Sequence, residues 1–305
     1  MAKDLKRRDF LRLAAAAGIG AAFPLSFGTL FDYAAAASGP DLVVAQGTSP
    51  RQILRAAVGG FGGMGKFVSR GDIVVVKPNI GWDRRPEFAA NTNPEVVAEI
   101  VKLCLEAGAK KVKVFDRPVN DARRCYTQSG IAEAAGKAGA EVKYMDERKF
   151  RDVTLKGEAL KSWPLYTDIF EADKIINVPI AKTHGLAGLT LSLKNWMGVM
   201  GGSRGRIHQN LDESLLDVAG VIKPTLTVLD AVRILTASGP QGGNLAHVKV
   251  MNTVIAGVDQ IAVDSYGATL FGKKGTDLDY IRLAAKRNFG QSNLKKLNIK
   301  RVNAG

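Results

Sequence analysis

The sequence predicts an α/β fold, a mainly parallel sheet flanked by helices, on three observations. Short continuous apolar runs, of which residues 72–76 (DIVVV) are the clearest, read as strands covered on both faces. Amphipathic stretches with helix-type start and stop residues separate those runs. The two kinds of segment alternate along the chain, as strand–helix units of a parallel sheet do. The length allows one large core or two closely packed lobes.

The elements follow in order. Residues 42–45 form the first strand, and Ser49-Pro50 opens a helix through 57 with Pro at the favoured first position. Gly59, Gly60, Gly62, Gly63 and Gly65 break it; a dinucleotide fingerprint would precede a helix rather than end one. Residues 72–76 make the next strand, ending in Lys77-Pro78-Asn79. Asn93-Pro94 starts a helix through 107 with Val96, Val97, Ile100, Val101 and Leu105 on one side, and Gly108 caps it. A strand at 112–115 ends at Asp116-Arg117-Pro118; a helix at 131–138 stops at Gly139, and a strand at 141–145 follows. Residues 151–164 read as edge strands or an excursion. The core pattern resumes at 174–179, with strands at 225–229, ending at Asp230, and 252–256, ending at Gly257-Val258-Asp259. Helices at 260–271 and 277–287 complete the pattern.

Ahead of this domain, Lys6-Arg7-Arg8-Asp9-Phe10-Leu11-Arg12 resembles the twin-arginine export signal. A weakly apolar stretch over 13–30 and the small residues Ala34-Ala35-Ala36-Ala37 complete the pattern of a cleaved leader. The other reading is an uncleaved anchor, but Gly18, Gly20, Pro24, Ser26 and Gly28 make a poor lipid-spanning helix. The expectation is a twin-arginine signal peptide at 1–37, cut near Ala36 or Ala37, and a single α/β domain at 38–305. The protein would be exported folded by the twin-arginine machinery to the periplasm or another extracytoplasmic space. It would keep no stable membrane span after cleavage.

Composition narrows the partners. The formal net charge is +14, and removing the leader's surplus of two leaves +12. Such a surplus favours an anionic small molecule, a polyanion or an acidic surface. Nucleic acid is not expected, because no recognition motif is present and the location argues against it. The two cysteines, Cys104 and Cys125, could pair in an oxidising compartment, although Cys104 reads as a buried thiol on a helix face. Histidine spacing matches no zinc pattern, and there is no G-x-S-x-G elbow.

Residues 177–208 read as a segment built to hold something negatively charged. An apolar strand feeds into Lys182 and His184; a short helical segment presents Lys194 and Asn195; a Gly-rich turn leads to Arg204, Arg206 and His208. In open α/β sheets, ligands bind outside the carboxyl ends of the strands. Lys77 and Asn79, Asp116 and Arg117, Lys182 and His184, Asp230, and Asp259 with Asp264 all fall at expected strand ends. The candidate catalytic residues are His184, then His208, with Lys182. Lys77, Asn79, Lys194, Asn195, Arg206, Asp116 and Asp230 are the candidate ligand-binding residues, and no metal ligand is assigned. Gly198, Gly201 and Gly202 read as backbone amides open to an oxyanion or as a plain loop. Trp196 and Met197 read as core, and His247 as structural.

At these positions the chain resembles the domain-of-unknown-function family 362. The resemblance lies in Val76-Lys77-Pro78-Asn79, Asn177-Val178-Pro179, Lys182-Thr183-His184, Thr190-Leu191-Ser192-Leu193-Lys194-Asn195 with Gly198, Asp230 and Ala262-Val263-Asp264. It spans residues 42–272 and implies an α/β domain without a settled reaction. Longer members carry a ferredoxin-like module; this chain lacks that module's cysteines, so no iron–sulfur cluster is expected from it, and its cofactor stays undetermined. Two functions remain open: an exported enzyme acting on an anionic small molecule by Lys/His acid–base chemistry, or a non-catalytic ligand-binding or redox-accessory protein.

Overall fold

The structure, a computed structural model, describes residues 39–305; the expected signal segment lies outside the described residues. Strand β1 (Leu42–Gln46) leads through helix α1 (Pro50–Gly59) to β2 (Ile73–Pro78). Helix α2 (Pro94–Glu106) and β3 (Lys111–Val114) follow, then α3 (Ala122–Gln128), α4 (Ile131–Lys137) and β4 (Glu141–Val142). Next come β5 (Phe150–Thr154), β6 (Ser162–Tyr166), α5 (Asp168–Glu171), β7 (Lys174–Val178), β8 (Ile180–His184), β9 (Gly188–Thr190) and α6 (Ser192–Asn195). The chain closes with α7 (Leu211–Val221), β10 (Leu226–Leu235), β11 (Val248–Gly257), α8 (Gln260–Thr269), α9 (Asp279–Lys286) and β12 (Ile299–Asn303).

Ten of these strands form one mixed, mostly parallel sheet, ordered β12-β1-β11-β10-β7-β2-β3-β4. The run β10-β7-β2-β3-β4 is parallel throughout, while β11 is antiparallel to β10 and β1. Beyond Pro179, β8 takes over from β7 beside β10 and pairs with β9 as a short hairpin.

The sheet is buried on both faces because its apolar runs are unbroken. Side chains alternate along a strand, so Val74 and Val76 enter one core while Val75 enters the other. The first core receives Leu54 of α1, Ile100 of α2, Cys125 of α3 and Ile131 of α4. The second receives Leu215 of α7, Ile261 of α8 and Ile281 of α9. Each fully buried aliphatic side chain contributes about 1.5–3 kcal/mol. Cys104 and Cys125 are both buried free thiols, so no disulfide joins them.

Three expectations change. Helix α3 was not legible, because Cys125 and Tyr126 are its buried residues and its start rests on the Asp121 side chain accepting from the Arg124 amide at 3.0 Å. The strand expected to end at Asp230 continues to Leu235: its further apolar residues pair with β8 and β11, so Asp230 sits inside β10. Because β11 runs antiparallel, its carboxyl end lies away from those of β2 and β3. Asp259 there caps α8, accepting from Ile261 at 2.7 Å, and takes the Gln291 amide at 2.7 Å.

The excursion is the hairpin β5–β6, a separate two-stranded sheet. Asp217 on α7 pins its turn, accepting from the amides of Glu158, Ala159 and Leu160 at 3.1, 2.9 and 2.8 Å. A Cβ at Gly157 would lie 2.0 Å from the Asp217 carboxyl carbon, so only glycine allows this approach. The hairpin in turn carries Phe150 against Gly201, with the Arg117 guanidinium 5.4 Å from the Phe150 ring centroid. Replacing Asp217 by Ala should cost about 2–4 kcal/mol, since three amides lose a charged acceptor; urea unfolding measures this directly.

Candidate functional site

The ends of β2 and β3, the β8–β9 hairpin and α6 converge on a cleft of about 520 Å³. Asn79, Asp116, Lys182, His184, Lys194 and His208 all line it. Three of the expected strand-end positions therefore meet in one place.

Beneath the cleft lies a buried polar network. The Lys77 ammonium, fully buried, meets Asp116 Oδ1 at 2.8 Å, Asn195 Oδ1 at 2.9 Å and the Pro78 carbonyl at 2.9 Å. Burial draws its pKa down, and the Asp116 charge opposes that shift. The Asn195 amide nitrogen donates to the Lys77 carbonyl at 3.1 Å and to Asn177 Oδ1 at 2.8 Å. Asn79 donates to Asn195 Oδ1 at 3.1 Å and accepts from Lys182 Nζ at 3.1 Å. Asp116 Oδ2 accepts from the Ile80 amide at 2.6 Å. The first turn of α6 is held by Asp264, which accepts from the amides of Ser192 at 2.7 Å and Leu193 at 3.2 Å; burial raises its pKa to about 7.

Two lysines face the cleft without such a counter-charge. Lys182 Nζ donates to Asn79 Oδ1 and to the Ala90 carbonyl at 2.5 Å. Lys194 Nζ lies 2.6 Å from Met197 Sδ and 3.3 Å from His208 Nε2. Among the described residues neither forms an ion pair. Burial lowers the pKa of each to about 7; the Asp116 charge opposes the shift at Lys182, and neighbouring cations add to it at both.

The two histidines stack, with ring centroids 5.8 Å apart and planes 9° from parallel. Their hydrogen bonds fix opposite tautomers. His184 Nδ1 accepts from the amides of Leu186 and Ala187, each at 3.1 Å, so its proton sits on Nε2. Burial and the nearby Lys194 depress its pKa to about 3, which keeps the ring neutral. His208 Nδ1 donates to the Gly205 carbonyl at 2.9 Å, which leaves Nε2 bare toward Lys194. Burial lowers its pKa too. His184 is a fixed hydrogen-bond donor and His208 an acceptor; the sequence had ranked His184 first for proton transfer.

Other expected residues fall elsewhere. Arg206 is exposed and does not line the cleft. Arg204 does, with its guanidinium bonded to the Arg117 carbonyl at 2.6 Å, the Met197 carbonyl at 3.1 Å and the Pro118 carbonyl. Asp230 is buried outside the cleft, accepting from the amides of Asn93 at 2.7 Å and Val232 at 3.0 Å, with its pKa raised to about 6 by burial. Lys77 lies below the floor rather than on it. The Gly201 amide donates to the Pro164 carbonyl at 2.7 Å, so it is not open to an oxyanion. Trp196 is core, its indole donating to Gln260 Oε1 at 2.6 Å, whereas Met197 lines the cleft. His247 lies outside it.

Sequence reasoning missed Thr190 as a site residue. Its hydroxyl is buried without a hydrogen-bond partner, and the hairpin register places it opposite Lys182. Gly185 and Gly188 between two short strand-like runs were the signal for that hairpin. Among the described residues, no group of three or more His, Cys, Asp or Glu side chains is placed to hold a metal ion.

The family model for a domain of unknown function, DUF362, matches residues 74–269. A thylakoid-associated protein of Synechocystis sp. is 30% identical over 223 residues, which cover 69% of this chain and 66% of that protein, just under two thirds of its length. A lactate racemase apoprotein from Thermoanaerobacterium thermosaccharolyticum aligns at a TM-score of 0.41 and 12% identity, over 72% of this chain and 54% of that one. At that overlap the likeness bears on neither chemistry nor ligand.

Gly198 closes the site from the side. A Cβ there would lie 1.7 Å from Asp116 Oδ1 and 2.5 Å from Lys77 Nζ. Gly198→Ala should therefore split the buried pair and destabilise the fold by about 3–5 kcal/mol, read as a fall in melting temperature.

Proposed function

The chain belongs to the DUF362 family, and from that premise we propose that its basic cleft binds a small organic anion and moves a proton on it. The observation that carries this reading is the pair of buried lysines without a direct ion-pair partner, beside two histidines of opposite tautomer. An uncompensated buried ammonium is costly, so it either takes an anionic ligand or gives up its proton. Both responses suit a site that binds an anion and then acts on it. Lys182 anchors the charge. His184, a neutral donor, directs its Nε2 proton to an oxygen that gains charge. Lys194, half-protonated near neutrality, exchanges a proton with the ligand, and His208 Nε2 takes it on. A binding protein without turnover uses the same lysines but has no need of that second histidine.

We also propose that the leader at 1–37 exports the folded protein through the twin-arginine route. The paired Arg7 and Arg8, the apolar stretch and the alanine site support this. No helix among the described residues is long and apolar enough to cross a membrane.

Mass spectrometry of protein purified from its native compartment identifies the bound anion. With that anion in hand, Lys182→Met should weaken binding at least tenfold. His208→Gln should leave binding intact and slow turnover by about 10²–10⁴-fold. Loss of affinity alone in both variants, with turnover never detected, would leave a binding protein.

The lysines also set a pH dependence. Each folded-state pKa lies near 7, below the ordinary 10.5, so between those values the unfolded chain holds protons that the folded chain does not. The unliganded protein should gain stability as pH rises from about 7 toward 10.5 and lose it as pH falls toward 7. Anion affinity should run the other way, strongest below pH 7, because the bound charge favours the protonated lysines. Calorimetric titrations and melting curves across pH 6–10 measure both. Replacing Arg7 and Arg8 by Lys together should hold the precursor in the cytoplasm, scored by cell fractionation.

A further inference from the structure

The cleft has two unlike halves. Its inner half is polar and deeply buried: Lys182 is 1% exposed, Thr190 3% and Lys194 7%. The Thr190 hydroxyl has no partner there, although it lines the cleft and faces Lys182 across the hairpin. A hydroxyl buried to that extent normally finds a partner; this one has a donor to give to whatever the lysines hold.

The less buried part of the lining is mixed. It holds an apolar set, with Trp82, Pro118 and Pro240 half-buried and Val119 60% exposed, together with Arg117, Ser203 and Arg204. Several backbone groups of these apolar residues already have partners. The Trp82 amide donates to Asn91 Oδ1 at 3.0 Å, and its carbonyl accepts from Asn91 Nδ2 at 2.8 Å. The Val119 amide donates to the Gly81 carbonyl at 2.8 Å, and the Pro118 carbonyl accepts from Arg204. Pro240 has no amide proton at all. A ligand lying against these four residues meets ring and methyl surface.

We propose that the anion is amphipathic: a carboxylate head held by Lys182, Thr190 and Lys194, and an apolar chain or ring resting on Trp82, Pro118, Val119 and Pro240. This rests on the anion-binding reading above and names the class of ligand for it. The head enters first, because the lysines lie at the buried end and the apolar residues at the mouth. Burial of a methylene stabilises by a fixed increment, so affinity should climb with chain length at a constant head.

The test titrates acetate, butyrate and hexanoate into the full chain by calorimetry, with hexanol and inorganic phosphate as controls. The dissociation constant should fall about two- to fourfold per added methylene. Hexanol should bind at least tenfold more weakly than hexanoate. Thr190→Val, an isosteric change, should weaken all three carboxylates by a similar factor and keep the slope. Val119→Ser, at an exposed position that leaves the fold intact, should flatten the slope and leave acetate unchanged. Affinity independent of chain length, with acetate or phosphate still binding, would overturn the amphipathic assignment and leave the anion site standing. Hexanol binding as well as hexanoate, or no binding by any of the anions, would remove the anion site itself and this inference with it.

Discussion

The fully buried contact between Lys77 and Asp116 is the constraint on which the rest of the site depends. Lys77 comes from β2 and Asp116 from the end of β3, and the Lys77 ammonium also takes the Asn195 side chain of α6. One charge thus fixes two neighbouring strand ends and the helix that carries Lys194. A buried ion pair adds little to stability over an apolar equivalent, but losing one partner is severe. Its contribution here is positional: Asn195, Asn79 and Lys182 are oriented in sequence from it, each by a hydrogen bond of 3.1 Å or less.

This arrangement separates two kinds of lysine. Lys77 has a carboxylate and a complete set of acceptors, and it braces the floor. Lys182 and Lys194 sit above it with carbonyl, amide and thioether partners but no carboxylate. Similar burial therefore has different consequences, because what a buried ammonium does is decided by its nearest counter-charge. The basic surplus of the composition does not explain the site. Much of that charge, Arg206 included, stands in solvent.

The sheet was legible because burial on both faces forces apolar residues at consecutive positions, and DIVVV admits few other readings. The strand-end positions of Asn79, Asp116, Lys182 and His184 were readable from the apolar runs, and the structure brings them to one cleft where the strands are parallel, with Lys77 beneath it. That convergence fails at Asp230 and Asp259, because β10 runs on past the expected end, and β11 runs the other way. Helix α3 gave little signal because few of its residues enter the core. Thr190 depended on a hairpin register, and the roles of Arg204 and Arg206 on which side of a turn faces inward. Neither can be obtained from periodicity.

The β8–β9 turn closes on the His184 ring itself, with two of its amides bonded to one imidazole nitrogen. A side chain that lines the cleft is therefore also a structural part of the turn that carries it. Inheritance of this hairpin is constrained accordingly. A lengthened or shortened turn would release the ring and alter its protonation, and a substituted ring would unfasten the turn. Recombination between related chains should exchange residues 180–190 as one block, since splitting them would join a turn to a side chain it was not shaped around.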